Sequence, residues 1–400
     1  MNLKQVIKIV VFLAIFGVII YFMCDIFEYK NNYMTKGYTS YKNCEEGLVD
    51  AVFIGTSAVN RSWIACKGFD MYGMTVMTLS IDALPCWLTL DMIKEAYRFN
   101  DPKLVILDMR MFTIYEPEKV PDLSVTRSRR AIDTLDFFSP YRLDMINRTL
   151  ELVSGFEDYD MSRFDPSLFF SFMQYHGMWA DDDFAPFEEI GSEPAKYLGF
   201  YVNGVKSIRI KKQSWPVWSK GTQELTQVAI DNLNEIIDYS KEKGFELLFV
   251  DTPYIMKKVE SKRHNELCRI LDEKGIKYVS YSDEEWFIDP KSDDAELARY
   301  RFNIKKHFYD SSHLNFDGAV IFTRLFAKYL DQNYDFQDHR GDERLPEWNG
   351  KYDKLKDKMK SLKKKHDAKI AAEDEDESDG DREDKEREEA IEAMEAAGVE

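Results

Sequence analysis

Cysteine is scarce in this chain of 400 residues: Cys24, Cys44, Cys66, Cys86 and Cys268 are irregularly spaced and include no CxxC pair. That excludes a disulfide-built scaffold and a cysteine zinc site, and it predicts thiols that act as small buried apolar side chains, with room for one disulfide. A surplus of positive charge is also missing. The net charge is −18; residues 351–400 hold 12 Lys and Arg against 18 Asp and Glu, which leaves −12 for residues 1–350. Phosphate backbones are held by clustered Lys and Arg, so nucleic acid is not an expected partner. His264, His307, His339 and His366 have no Cys or carboxylate neighbours at ligand spacing, so no metal and no cofactor is predicted. Apolar side chains, by contrast, make up 44% of the chain and aromatics 14%, enough for a packed core and too many for a wholly disordered polymer.

Long apolar runs occur once. Ile9 to Met23 is uninterrupted, Val6 to Phe27 extends it, and Lys4 and Lys8 precede it. That is roughly the 20 residues a bilayer-spanning helix needs, and the leading lysines predict an N-in, C-out orientation. The run ends Tyr21-Phe22-Met23-Cys24-Asp25 with no small-x-small site, so an uncleaved anchor over residues 1–30 is expected rather than a removed signal peptide. The remainder then stands outside the cytoplasm on the cell membrane. Residues 31–48, polar and Tyr-rich, read as a spacer.

From Val49 the pattern changes to short β-branched runs: Val49 to Ile54 closed by Gly55, Thr75 to Leu79, Leu104 to Leu107, Glu246 to Val250 and Ile276 to Val279. Between them lie helical stripes such as Leu225, Val228, Leu233, Ile236 and Ile237, with Gly244 at a C-cap position. Alternating strand and helix predicts an α/β fold with a mainly parallel five-stranded sheet in residues 49–345, and ligands beyond the carboxyl ends of its strands. Residues 113–221 break the rhythm with Phe137-Phe138-Ser139-Pro140, Phe169-Phe170 and Trp215-Pro216-Val217-Trp218, and read as an insertion over the open end of the sheet. Residues 346–400 read as a charged tail, a solvated helix or disordered chain, with a partner-docking helix as the alternative.

Two places carry nucleophile chemistry. In Ile54-Gly55-Thr56-Ser57 a serine follows a buried strand, where its hydroxyl faces the ligand crevice and its N–H can meet an oxyanion; a bare turn with a helix cap gives the same letters. In Tyr309-Asp310-Ser311-Ser312-His313-Leu314-Asn315, a histidine can serve as base and a carboxylate three residues earlier can orient it; a capping Asp beside a surface His is the plain alternative. A strand-end serine early and Asp-x-x-His-Leu-Asn late, bracketing one α/β domain, resemble the SGNH/GDSL hydrolase family over roughly residues 49–335. The resemblance implies a flavodoxin-like three-layer α/β/α sandwich and a triad of Ser57, His313 and Asp310.

With the anchor and Gly-Thr-Ser, the chain looks most like the branch containing DltD and the alginate-type O-acetylation proteins. That implies an extracytoplasmic esterase or O-acyltransferase acting on acyl, chiefly acetyl, esters of cell-envelope glycopolymer, beside a membrane-bound O-acyltransferase. The alternative is a non-catalytic or weakly catalytic scaffold or polymer-binding partner of such an enzyme. The chain departs from the family in two places. Ser80, in Leu79-Ser80-Ile81-Asp82, stands where a glycine N–H often meets the oxyanion, and the Gly-x-Asn-Asp block is absent. Arg110 is the candidate substitute for the missing asparagine, for the oxyanion or an anionic polymer, unless it pairs with Asp108 or another acid. His176, Asp251 and Tyr254 are further candidate substrate contacts; for His176 a packed, hydrogen-bonded ring is the plainer reading. Asn60-Arg61-Ser62 and Asn147-Arg148-Thr149 match glycan acceptors, but a glycan at Asn60 would obstruct Ser57.

Overall fold

The computed structural model describes residues 2–27, 32–115, 121–156, 166–177, 195–202, 215–289, 291–292 and 294–368. In chain order its helices and strands are α1 (Leu3–Ile26), α2 (Tyr33–Lys42), β1 (Ala51–Gly55), α3 (Ser57–Ser62), α4 (Ala65–Tyr72), β2 (Val76–Ser80), α5 (Thr89–Ala96) and β3 (Leu104–Asp108). After these come α6 (Arg110–Thr113), α7 (Pro121–Ile132), α8 (Pro140–Ser154), α9 (Phe172–Tyr175), α10 (Gln227–Lys243), β4 (Glu246–Asp251), α11 (Lys258–Lys274), β5 (Lys277–Ser280) and α12 (Phe316–Asn333), with a final helix, α13, over 351–368.

The five strands pair in parallel in the order β2-β1-β3-β4-β5, each within two residues of an apolar run in the sequence. Every residue of β1, β2 and β3 is buried, so helices and loops cover both faces of the sheet. The chain order reverses between β1 and β3, which opens a crevice at their carboxyl ends. The caps follow ordinary chemistry: Thr226 accepts from Ala229 N at the start of α10, and Gly244 ends that helix at φ 81°. Asn315 accepts from Gly318 N to start α12.

α1 is long and apolar enough to cross a membrane, with a mean hydropathy of 2.8 in its most apolar stretch. The segment expected as a spacer is instead part of the globular body. Asn32 caps α2 by accepting from Thr35 N, Tyr38 donates to Glu95 Oε1 at 2.5 Å, and Tyr41 donates to the carbonyl of Ala96 at 3.3 Å. α2 lies against the edge strand β2, and both tyrosine rings are buried where they reach the end of α5, Tyr38 packing on Phe99 with centroids 6.0 Å apart.

The insertion is corrected only in part: its residues 116–120, 157–165, 178–194 and 203–214 lie outside the described residues, and Tyr201 within it does reach the serine helix, its N–H donating to the carbonyl of Asn60 at 2.8 Å. α8 lies along α5, where Arg148 pairs with Asp91 of α5 at 3.1 Å and Glu235 of α10 at 2.9 Å, so this helix flanks the sheet instead of roofing its open end. The expected boundary at residue 345 is also too early. Leu345, Trp348, Leu355 and Met359 are buried, and Trp348 packs on Phe69 with ring centroids 5.2 Å apart. The helical spacing of Leu355 and Met359 sits within a run of lysines that conceals it. Residues 369–400, including the acidic stretch, lie outside the described residues.

Candidate active site

Ser57 opens α3 directly beyond β1 and is 6% exposed. Its position is set by a carboxylate at the end of the neighbouring strand. Asp108 Oδ2 accepts from Thr56 N at 3.1 Å and from Thr56 Oγ1 at 2.5 Å, and Asp108 Oδ1 accepts from Arg110 N at 3.1 Å. Gly55 is needed where it is, since an added Cβ would run into Asp108 Cβ and the Val59 side chain. The turn that presents the serine is therefore tied across the switch point between β1 and β3.

His313 arrives from the loop before α12. α12 is fastened to the serine helix: Ile64 N donates to Thr323 Oγ1 at 3.0 Å, and Thr323 Oγ1 donates to the carbonyl of Ser62 at 3.1 Å. The loop closes on itself, with Tyr309 N donating to the carbonyl of His313 at 2.9 Å and Ser312 N to Asp310 Oδ1 at 2.8 Å. Across 256 positions of sequence, Ser57 Oγ lies 2.8 Å from His313 Nε2. Asp310 places both carboxylate oxygens 2.9 Å from Nδ1 of the same ring.

Electrostatics favour a neutral imidazole beside an ionised carboxylate. Burial is the largest influence pushing the pKa of His313 below its ordinary value; Asp310 opposes it, and the charges of Arg61 and Arg110 reinforce it. Burial pushes the Asp310 carboxyl up, but the His313 hydrogen bond and charge, with the N–H groups of Ser312 and His313, take it below its usual range. This is an arrangement in which Nε2 can accept the serine proton while the carboxylate holds the tautomer and steadies the imidazolium.

The other candidates fall elsewhere. Arg110 is a buried clamp, donating to the carbonyls of Ser312 at 2.7 Å, Thr252 at 2.9 Å and Pro253 at 3.2 Å. It is not a free donor for an oxyanion or a polymer. Tyr254 is its platform, with the guanidinium 4.1 Å from the ring centroid and the hydroxyl buried without a partner, so it forms no wall of the crevice. Asp251 is buried beside His264, whose Nδ1 is 3.1 Å from Oδ2 but off the line of a straight hydrogen bond.

His264 thus has the carboxylate neighbour its sequence surroundings did not reveal, and, against the expectation of no cysteine at a reachable spacing, Cys268 one helical turn on in α11 has its Sγ 3.5 Å from Nε2. Burial opposes charge on that ring, yet Asp251 and Cys268 together hold its pKa well above the ordinary value. Among the described residues no group of three or more His, Cys, Asp or Glu is arranged to hold a metal ion. Ser80 stands opposite Gly55, but the N–H that β2 delivers to β1 is that of Ile81, bonded to Gly55 O at 2.9 Å. Strand alternation turns the N–H of residue 80 to the outer side of this edge strand, away from Ser57. His176 is exposed and bonds the carbonyl of Met173 in its own turn, at 3.0 Å, and α9 packs on α1.

One residue at the site was read only as part of a glycan acceptor. Arg61 Nη1 lies 2.9 Å from His313 Nε2, and its guanidinium stands 5.2 Å from the Tyr201 ring centroid and 6.0 Å from that of Tyr33. Its signal was the spacing Ser57 to Arg61, one helical turn, which puts both side chains on the same face of α3. Tyr33 and Tyr201 had no such signal. Asn60 is buried with both side-chain polar atoms unpartnered, in keeping with the argument against a glycan there. No protein-family model and no curated protein matches this chain.

Proposed function

We propose that the protein is a membrane-anchored serine esterase or O-acyltransferase of the SGNH type, with a three-layer α/β/α sandwich held N-in, C-out on the outer face of the cell membrane. The observation that carries this reading is the serine–histidine–aspartate line, at 2.8 Å and 2.9 Å, built at the switch point of a parallel sheet. Ser57 Oγ attacks the acyl carbon, and its proton passes to His313 Nε2. The carbonyl electron pair moves onto oxygen, where the N–H of Ser57 can receive it. Collapse breaks the bond to the alcohol, which leaves with the proton from Nε2, and the acyl group remains as an ester on Ser57.

Water or a second hydroxyl then repeats the sequence in reverse. Water makes the protein an esterase, and a sugar or polyol hydroxyl makes it a transferase onto envelope glycopolymer, next to a membrane-bound O-acyltransferase. The test is hydrolysis of p-nitrophenyl acetate by the purified full chain in detergent. We expect turnover by the wild type and none above background for Ser57→Ala. Equal rates for the two proteins would remove the catalytic reading and leave a tethered binding or scaffold module.

A further inference from the structure

Arg61 and Ser57 compete for one lone pair. Both lie within hydrogen-bond distance of His313 Nε2, at 2.9 Å and 2.8 Å. A guanidinium has donors only and keeps its proton in proteins, so a ring nitrogen that accepts from it must be unprotonated. Among the described residues no carboxylate lies within ion-pair distance of Arg61, and its Nε is buried without a partner. It is a cation without a carboxylate partner, lying against a contacting pair of tyrosine rings, Tyr33 and Tyr201, whose centroids are 4.3 Å apart, and beside the reacting atoms.

That arrangement does not survive proton transfer. Once Nε2 carries the serine proton, two positively charged donors confront each other, and the guanidinium must turn away. The negative charge formed at that moment is the oxyanion on the carbon newly bonded to Ser57 Oγ. We propose that Arg61 is a catalytic residue that rests on His313 Nε2 in the free enzyme and moves onto the oxyanion as the tetrahedral intermediate forms. It then does the work of the asparagine donor whose sequence block this chain lacks. Collapse of the intermediate removes the oxyanion, the leaving alcohol takes the proton from Nε2, and Arg61 returns to the emptied lone pair.

This inference rests on the serine-hydrolase reading above, and its test separates the two. The charged groups facing His313 are Asp310, Arg61 and Arg110. In the full chain, Arg61→Gln should lower kcat for p-nitrophenyl acetate at least 10-fold with little change in KM. It should slow phosphonylation of Ser57 by a fluorophosphonate to a similar degree, and move the acid limb of the pH profile to higher pH. Arg61→Lys, which keeps the charge and loses the fork, should fall between. A wild-type rate and pH profile in Arg61→Gln would overturn the role of Arg61 while leaving the triad standing. A wild-type protein that neither turns over substrate nor labels at Ser57 would overturn both.

A second observation stands apart from the chemistry. Residues 2–19 are exposed all round, and burial of α1 begins at Ile20. From Leu3 to Ile19 the bare helix is about 26 Å long at 1.5 Å per residue, close to the roughly 30 Å of a bilayer core. Where the bare part ends, the globular body grips the helix: Tyr21 stacks on Phe138 with centroids 5.1 Å apart, and Ser171 Oγ donates to the carbonyl of Cys24 at 3.4 Å. Around this junction Phe138 is 72% exposed, Met173 42% and Phe170 37%. We infer that these side chains form an apolar collar seated in the lipid interface, holding the domain directly on the bilayer surface.

The test is photo-crosslinking of the full chain in phosphatidylcholine and phosphatidylglycerol vesicles and in native membranes, with p-benzoylphenylalanine in place of Phe138, Met173 or, as control, exposed Tyr300. Lipid adducts at 138 and 173 with none at 300 are expected. No adduct at the collar, equal adducts at all three, or a protein crosslink instead of lipid would overturn it.

Discussion

Arg110 Nη1 donates to the carbonyl of Ser312 at 2.7 Å, so a side chain from the end of β3 holds the loop that carries the imidazole. The same guanidinium ties that loop to the end of β4 through Thr252 and Pro253. Removing it unpairs three buried carbonyls at once. We expect Arg110→Met to cost about 3 kcal/mol of stability, the scale of hydrogen bonds to a charged group, and to lower kcat/KM for an ester about 100-fold through a misplaced ring. Arg110→Lys should recover part of both. Thermal unfolding and ester hydrolysis on the same samples check this.

Asp310 fixes the tautomer of His313 by accepting from Nδ1. In Asp310→Asn the amide can donate to Nδ1 and force the proton onto Nε2, where it blocks acceptance from Ser57. We expect kcat to fall on the order of 10⁴-fold with KM nearly unchanged, as for comparable triads. Steady-state kinetics with an ester substrate decides it.

The acid limb of the activity profile should report the imidazole. Burial, with Arg61 and Arg110, takes the pKa of His313 below its ordinary 6.5, so at pH 6.5 the base is more than half neutral and the acid loss of activity is displaced to lower pH. A kcat/KM profile measured from pH 4 to 9 should show its acid inflection below 6.5.

His307 predicts a separate dependence, of stability. Burial takes its pKa down to about 4, and its Nδ1 accepts from Asn303 N at 3.0 Å. Between pH 6.5 and 4 the unfolded chain gains a proton there and the folded chain does not, so stability falls as the pH falls across that window. The full effect is about 3 kcal/mol, at ~1.4 kcal/mol per pKa unit. His307→Gln, whose amide oxygen can still accept from Asn303, should flatten the dependence in chemical denaturation series.

Gly55 makes a narrower case. Gly55→Ala drives a methyl group into Asp108, and we expect a loss of about 1–3 kcal/mol with a disturbed Ser57, read as a lower unfolding temperature and weaker labelling of the serine.

The strands were legible because each is a short apolar run that parallel pairing buries on both faces, and the sequence around Ser57 and His313 showed them because each sits at a strand or helix boundary. Arg110 and Tyr254 were misread for one reason. A strand-end position implies a residue facing the crevice, but it does not reveal that three carbonyls wait beneath it. The helix of α2, and the packing of α13 against the domain, were not legible because polar and charged residues outnumber the tyrosines and leucines that pack. Arg61 needed only the one-turn spacing from Ser57, whereas Tyr33 and Tyr201 come from distant segments whose meeting no local pattern encodes.

The central claim is a nucleophilic Ser57 activated by His313. Mass spectrometry of the full chain after treatment with a fluorophosphonate tests it most directly. The account requires a single adduct on Ser57 that disappears in His313→Ala; an adduct on another residue, or none at all, would contradict it.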